Sequence, residues 1–200
     1  MLFYLADDVY LRNYLKVYSR QACEVCLNHR HALFQFHDNR CVETVPHIYY
    51  HETEKEHADG LGIPHMLAWS TPSYSFADTH NQLGKIALTF ELSSSRGVRS
   101  EWVEESLMYL RRFFGILSKE EGSRTWQVES QLKKWYSPEG GVLCWHIDAG
   151  NSVLEGDVIA TLYTRKGSIE LKSPYTGVLL LKNPSHAPHE KQELAKFLVE

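Results

Sequence analysis

Lys85-Ile86-Ala87-Leu88-Thr89-Phe90-Glu91-Leu92 is the stretch that decides how the first half of the chain is read. Ile86, Leu88, Phe90 and Leu92 fall on one face at period two, with Ala87, Thr89 and Glu91 on the other, the signature of a β-strand. Upstream, Ala32-Leu33-Phe34-Gln35-Phe36, Val45-Pro46-His47-Ile48-Tyr49-Tyr50 and Ile63-Pro64-His65-Met66-Leu67-Ala68-Trp69 read as further strands. Pro46 stands at a strand start, where its missing N–H costs least. Helical stretches alternate with them. His51 to Leu61 is rich in Glu and Lys and stops at Gly62, and Phe76 to Leu83 stops at Gly84. Ser100 opens a third helix as its N-cap, with Glu101, Glu104 and Glu105 at its positive end and an apolar face of Val103, Leu107, Leu110, Phe114 and Leu117. Strands alternating with helices predict an α/β layer with a mixed or mainly parallel sheet. Residues 8–33 read as a helix with a ragged apolar face.

The last third is built differently. Ser137-Pro138-Glu139-Gly140-Gly141-Val142-Leu143 repeats as Ser173-Pro174-Tyr175-Thr176-Gly177-Val178-Leu179. The same offset sets Val158 on Leu194 and Leu162 on Leu198. Two copies are too few for a solenoid, and two short β units pairing their apolar faces suggest a small sandwich or barrel. Glu120 to Arg124 is a polar linker. The expected organisation is therefore an α/β domain over residues 1–122 and an all-β barrel-sandwich domain over residues 123–200.

Composition is that of a globular chain, 43% hydrophobic and 23% charged. A net charge of −4 gives no basic footprint for nucleic acid, and no apolar run has membrane-spanning length. Met1 to Ala6 is followed at once by Asp7-Asp8, unlike a secretory signal. Four cysteines suggest reduced thiols in a cytoplasmic protein.

Several residues invite a chemical reading. Glu91 closes the best strand just before a small-residue loop, where open α/β sheets hold their ligands. It either faces water at the sheet rim or is functional. His37-Asp38 follows the Ala32–Phe36 strand in the same structural place; His37 is a metal-ligand candidate, but from position alone a polar loop residue is the preferred reading. Cys23 and Cys26, with His29 and His31 after them, have zinc-knuckle spacing, but only Cys41 lies nearby to complete it, and core or edge residues of a helix are the preferred reading. His51 and Glu54 make an H-x-x-E pair that also reads as an ordinary solvated helix start, which is preferred. Lys166 lies between the two β copies, where carrier domains present a modified lysine; Arg165-Lys166-Gly167 lacks the flanking methionines of biotinyl carriers, so a plain turn is preferred.

Residues 54–117 resemble the succinylglutamate desuccinylase/aspartoacylase family of the zinc carboxypeptidase clan. The run from Glu54 through Gly60-Leu61-Gly62-Ile63-Pro64 to Phe90-Glu91-Leu92 is similar to the family's helix, G-I-P, strand, loop and strand ending E-L-G. Both Ser-Pro repeats and Gly150-Asn151-Ser152-Val153-Leu154-Glu155-Gly156-Asp157-Val158-Ile159 are similar to motifs of the family's carrier-like barrel. The resemblance implies zinc-assisted hydrolysis of an amide or ester in small N-acyl amino acid-like substrates, with Glu91 as general base and acid. It also implies a zinc-ligating histidine from a D-L-H motif, best matched by His37, although Gln35 replaces the acid. Two departures stand out. The family's H-x-x-E zinc pair and substrate-binding N-R precede D-L-H, whereas His51 and Glu54 follow His37; and E-L-G is here Glu91-Leu92-Ser93. The expectation is the carboxyl-terminal portion of such a hydrolase, as a homo-oligomer or with a partner chain supplying the missing half. The open sheet edge would be covered by another copy or by residues 8–33. A non-catalytic remnant serving as an interaction module is the alternative.

Overall fold

The computed structural model of the chain describes residues 24–28, 32–38, 43–71, 75–92, 100–120, 122–183 and 185–200. It separates into two compact units, one formed by residues 1–40 and 46–125 and the other by residues 41–45 and 126–200.

The first unit is organised by a mixed sheet. Its strands are β1 (Glu24–Asn28), β2 (Ala32–Asp38), β4 (His47–His51), β5 (His65–Trp69) and β6 (Ile86–Leu92), and β7 (Arg124–Gln127) forms the far edge. Their order is β1-β2-β6-β4-β5-β7. β2 runs parallel to β6 and β4 parallel to β5, while β4 and β6 are antiparallel. The period-two reading of β6 holds. Leu88, Phe90 and Leu92 join Ile48, Tyr50, Met66 and Ala68 in one apolar cluster. Burying each larger side chain is worth about 1.5–3 kcal/mol. A short 3₁₀ turn (Glu52–Glu54) leads into α1 (Lys55–Ala58), whose Ala58 enters this cluster, as do Leu107, Tyr109 and Leu110 of α3 (Ser100–Phe113). On the opposite face α2 (Phe76–Gln82) sets Ala77 against Ala87.

Glycines end α2 and α3 in the same way. Gly84 and Gly115 take left-handed backbone, and the amides after them, Lys85 N and Ile116 N, bond back to His80 O (3.1 Å) and Arg111 O (2.8 Å). This corrects the apolar face expected for α3. Phe114 (46% exposed) and Leu117 (41%) lie beyond the turn at Gly115, so they leave the packed face. The helix expected over residues 8–33 is also corrected where the structure describes it, because residues 24–28 form β1, antiparallel to β2. Cys26 is thus a strand residue, while Cys23, His29, His31 and Cys41 lie outside the described residues. The edge of β2 is paired by the chain's own β1.

The second unit is antiparallel throughout. β8 (Leu132–Tyr136), β10 (Ser152–Val153), β13 (Gly177–Lys182) and β14 (Glu193–Val199) form one sheet, with β3 (Glu43–Thr44) paired to β13. β9 (Val142–Trp145), β11 (Val158–Thr164) and β12 (Gly167–Lys172) form the other, and the short α4 (Val128–Gln131) precedes β8. Neither sheet closes into a barrel. The sequence repeat is repeated in the bonding. Ser137 and Ser173 are both buried, and each hydroxyl donates to the carbonyl two residues on (Glu139 O and Tyr175 O, both 2.7 Å). Gly141 and Gly177 lie against the backbone of Tyr163 and Leu198, where a Cβ would stand 2.5 and 2.0 Å from a carbonyl oxygen. Each Ser-Pro segment thus feeds a strand that crosses its partner too closely for a side chain.

Candidate active site at one end of the mixed sheet

Strand register gathers ionisable residues at one end of the first unit's sheet. Glu91, next to last in β6, pairs with His37 of β2 on one side and with His47 of β4 on the other. His47 pairs in turn with His65 of β5, and His37 with Glu24 of β1. One row thus crosses five strands as Glu24, His37, Glu91, His47, His65. For Glu24 and His37 the backbone gives the register position. His47 and His65 are each the first residue of their strand, fixed there by Pro46 and Pro64, which lack the N–H a ladder would use.

The described members of the row differ in setting. Glu91 and His65 are half-buried, whereas His47 is 2% exposed and meets the Tyr49 ring edge-on at 5.3 Å. Tyr49 stacks on Trp69 at 5.7 Å. Burial holds His65 below the ordinary histidine range, and the nearby Arg124 guanidinium adds to that shift. A carboxylate flanked by imidazole positions suits proton transfer to and from a substrate.

His37 and Glu91 are therefore brought to neighbouring positions on parallel strands, at the carboxyl ends of both. His51 and Glu54 are not part of the row's chemistry. They form a capping box at the helix start: His51 Nδ1 accepts from Thr53 N, and Glu54 Oε2 accepts from His51 N at 3.1 Å. Glu54 is only 4% exposed, which corrects the solvated reading of its side chain. Its other oxygen accepts from Ala87 N (2.6 Å) and Asn81 Nδ2 (2.9 Å), so it ties β6 and the end of α2 to the capping box. Lys166 sits at the tip of the β11–β12 hairpin, 87% exposed and 3.7 Å from Glu139. The row's missed members are His47 and His65. Their signal in the sequence is the repeated Pro-His at the head of two apolar runs, Pro46-His47 and Pro64-His65.

Elsewhere in the first unit, a concavity of about 120 Å³ is lined by Glu56, His57, Asp59, Leu61, Arg112, Phe113 and Lys119. It lies on the side of α1 and α3 and contains no member of the row.

An α/β unit built on a mixed sheet, followed by an antiparallel β unit, is an architecture with solved counterparts. Those counterparts are succinylglutamate desuccinylase/aspartoacylase family proteins, and the chain has the fold of a part of them. A family protein of Shewanella amazonensis matches with a TM-score of 0.67 at 21% identity, over 84% of this chain and 54% of that one. A succinylglutamate desuccinylase of a Silicibacter species gives 0.67 at 21%, over 82% and 56%. The ectoine utilization protein EutE (DoeB) of Ruegeria pomeroyi gives 0.71 at 14%, over 94% and 64%. The chain thus spans little more than half the length of most of these proteins, and at such identities the likeness is one of fold. No sequence-family model and no curated protein matches it. Among the described residues no helix is long and apolar enough to cross a membrane.

Proposed function

We propose that the chain is the carboxyl-terminal portion of a hydrolase that cleaves the amide or ester bond of small N-acyl amino acid-like substrates. Glu91 acts as general base and then general acid, and the second unit is the family's barrel-sandwich. The observation that carries this reading is the pairing of His37 with Glu91 at the carboxyl ends of adjacent parallel strands, within a fold shared with such hydrolases. In the proposed reaction the Glu91 carboxylate takes the proton of the attacking water. It then returns that proton to the leaving nitrogen or oxygen, a role worth roughly 10²–10⁴-fold in rate.

Zinc is the metal this fold family implies. A catalytic zinc takes three protein ligands and keeps one position open. Among the described residues no three His, Cys, Asp or Glu side chains are gathered to hold a metal, and the Glu54 oxygens are taken up by backbone and amide donors. The described residues therefore do not fit a complete zinc centre. We read His37 as one ligand of a centre whose remaining donors come from elsewhere in a longer chain or from a partner. The same shortfall favours a second reading, in which this chain is a non-catalytic interaction module.

The test is hydrolysis of a panel of N-acyl amino acids, with zinc supplied, by the protein together with any further chain segment or partner that co-purifies with it, alongside elemental analysis. Release of free amino acid that falls at least about 100-fold in Glu91→Gln, with bound zinc lost in His37→Ala, is the expected result. No hydrolysis and no bound zinc would leave the interaction-module reading in possession.

A further inference from the structure

Among the row members whose burial is described, His47 is the most enclosed, with 2% of its surface exposed. An imidazole taken out of water needs a partner for its ring N–H. Its two register partners are Glu91 on β6 and His65 on β5, and of these only Glu91 brings a carboxylate. Direct partners in an antiparallel pair leave the same face of the sheet with Cβ atoms about 4.5–5.5 Å apart, within reach of an imidazole–carboxylate hydrogen bond. The Tyr49 ring, edge-on to His47 at 5.3 Å, limits the rotation of the imidazole from the other direction along the strand.

We infer that His47 is a positioning residue for Glu91: its ring N–H holds the carboxylate in one orientation at the end of β6. The role rests on the proposed function only in that Glu91 is the proton carrier there. The hydrogen bond itself does not depend on that reading. A ring nitrogen bonded to a carboxylate also fixes the tautomer, so its other nitrogen becomes an acceptor. Outer partners that orient a reacting group are worth about 10–100-fold in activity.

The experiment is imidazole nitrogen NMR of the full ¹⁵N-labelled chain, with His47 assigned through bonds, beside steady-state kinetics. A single tautomer of His47 is expected, with ring nitrogen resonances that shift in Glu91→Gln while those of His146 and His189 in the second unit stay in place. If the His47 resonances do not move, the inference is overturned whatever the activity. In the kinetic arm, His47→Leu is expected to lower kcat about 10–100-fold with little change in KM, and His47→Asn, which keeps a donor, to recover part of the loss. A His47→Leu that folds and keeps full kcat would also overturn it. Coupled resonances in a chain that hydrolyses nothing would uphold the contact and count against the proposed function alone.

Discussion

At the scale of single residues, burial and register determine which groups matter. His65 offers a direct check. Its folded-state pKa lies below the ordinary value, first through burial and then through Arg124. The unfolded chain therefore binds this proton more readily than the folded one. The stability His65 contributes as a neutral group is present above its unfolded pKa of about 6.5 and is lost as pH falls below that value toward the folded one. Denaturant unfolding at pH 7.5 and pH 5 should show a loss of stability on acidification that is smaller in His65→Gln. An equal loss in both proteins would mean that His65 is not responsible. The sequence made His37 and Glu91 legible as candidates because each stands at the carboxyl end of a recognisable strand. It left His47 and His65 looking like ordinary strand openers, because pairing between strands far apart in the chain is what turns them into neighbours. Glu54 was misread for a similar reason. Nothing near it in the sequence announces that the Ala87 amide, 33 residues on, takes its carboxylate as an acceptor.

At the scale of elements, the strands were legible where alternation was strict and α2 where Gly84 stopped it, whereas the helix expected from His51 to Leu61 shrinks to the 3₁₀ turn and α1, which ends at Ala58, and Leu61 instead bridges to Glu120. β6 and α2 appear close to where the pattern put them, whereas α3 ends earlier than its apolar spacing suggested because Gly115 turns the chain. A mixed or mainly parallel sheet was expected from the alternation of strands and helices, but which neighbours run antiparallel, β4 against β6, could not be read, since alternation is the same for a strand running either way. The two-copy β pattern was legible and carries a prediction. In Gly177→Ala the new Cβ would meet Leu198 O at 2.0 Å, whereas Gly156, also in left-handed backbone, has nothing within 4 Å of such an atom. Gly156→Ala should cost about 1–2 kcal/mol, the expense of a left-handed alanine. Gly177→Ala should cost about 1–3 kcal/mol beyond that, because two packed strands must move apart. Chemical denaturation of the two variants decides it, and equal losses would mean that the crossing at Gly177 is looser than described.

At the scale of the whole molecule, the second unit is not one continuous piece of chain. β3 lies on β13, where Thr44 Oγ1 donates to Leu180 O (3.0 Å). Glu43 also reaches the buried Lys182 Nζ (3.0 Å), which Asp148 (3.0 Å) and Ile147 O (2.8 Å) share. A fragment of residues 126–200 would lack β3 and leave the Leu181–Lys182 end of β13, which β10 does not cover, unpaired on the β3 side. It should fold, but the amides of β13 should exchange with solvent faster than in the full chain, because local opening there becomes less costly. Hydrogen exchange of the Leu181 and Lys182 amides measures this directly; identical protection in fragment and full chain would show that β3 adds nothing.

The chain's path through its two units also limits how their ancestry can be imagined. Because residues 41–45 belong to the second unit while residues 46–125 return to the first, a single recombination breakpoint cannot separate them cleanly. Any gene fusion or laboratory graft that moves the β unit to a new host as a cassette must either bring a five-residue splint from deep inside its neighbour's coding region or evolve a substitute. Lineages carrying this architecture should therefore inherit the two units together, and a stand-alone copy of the second should show an added amino-terminal strand where residues 41–45 would have been.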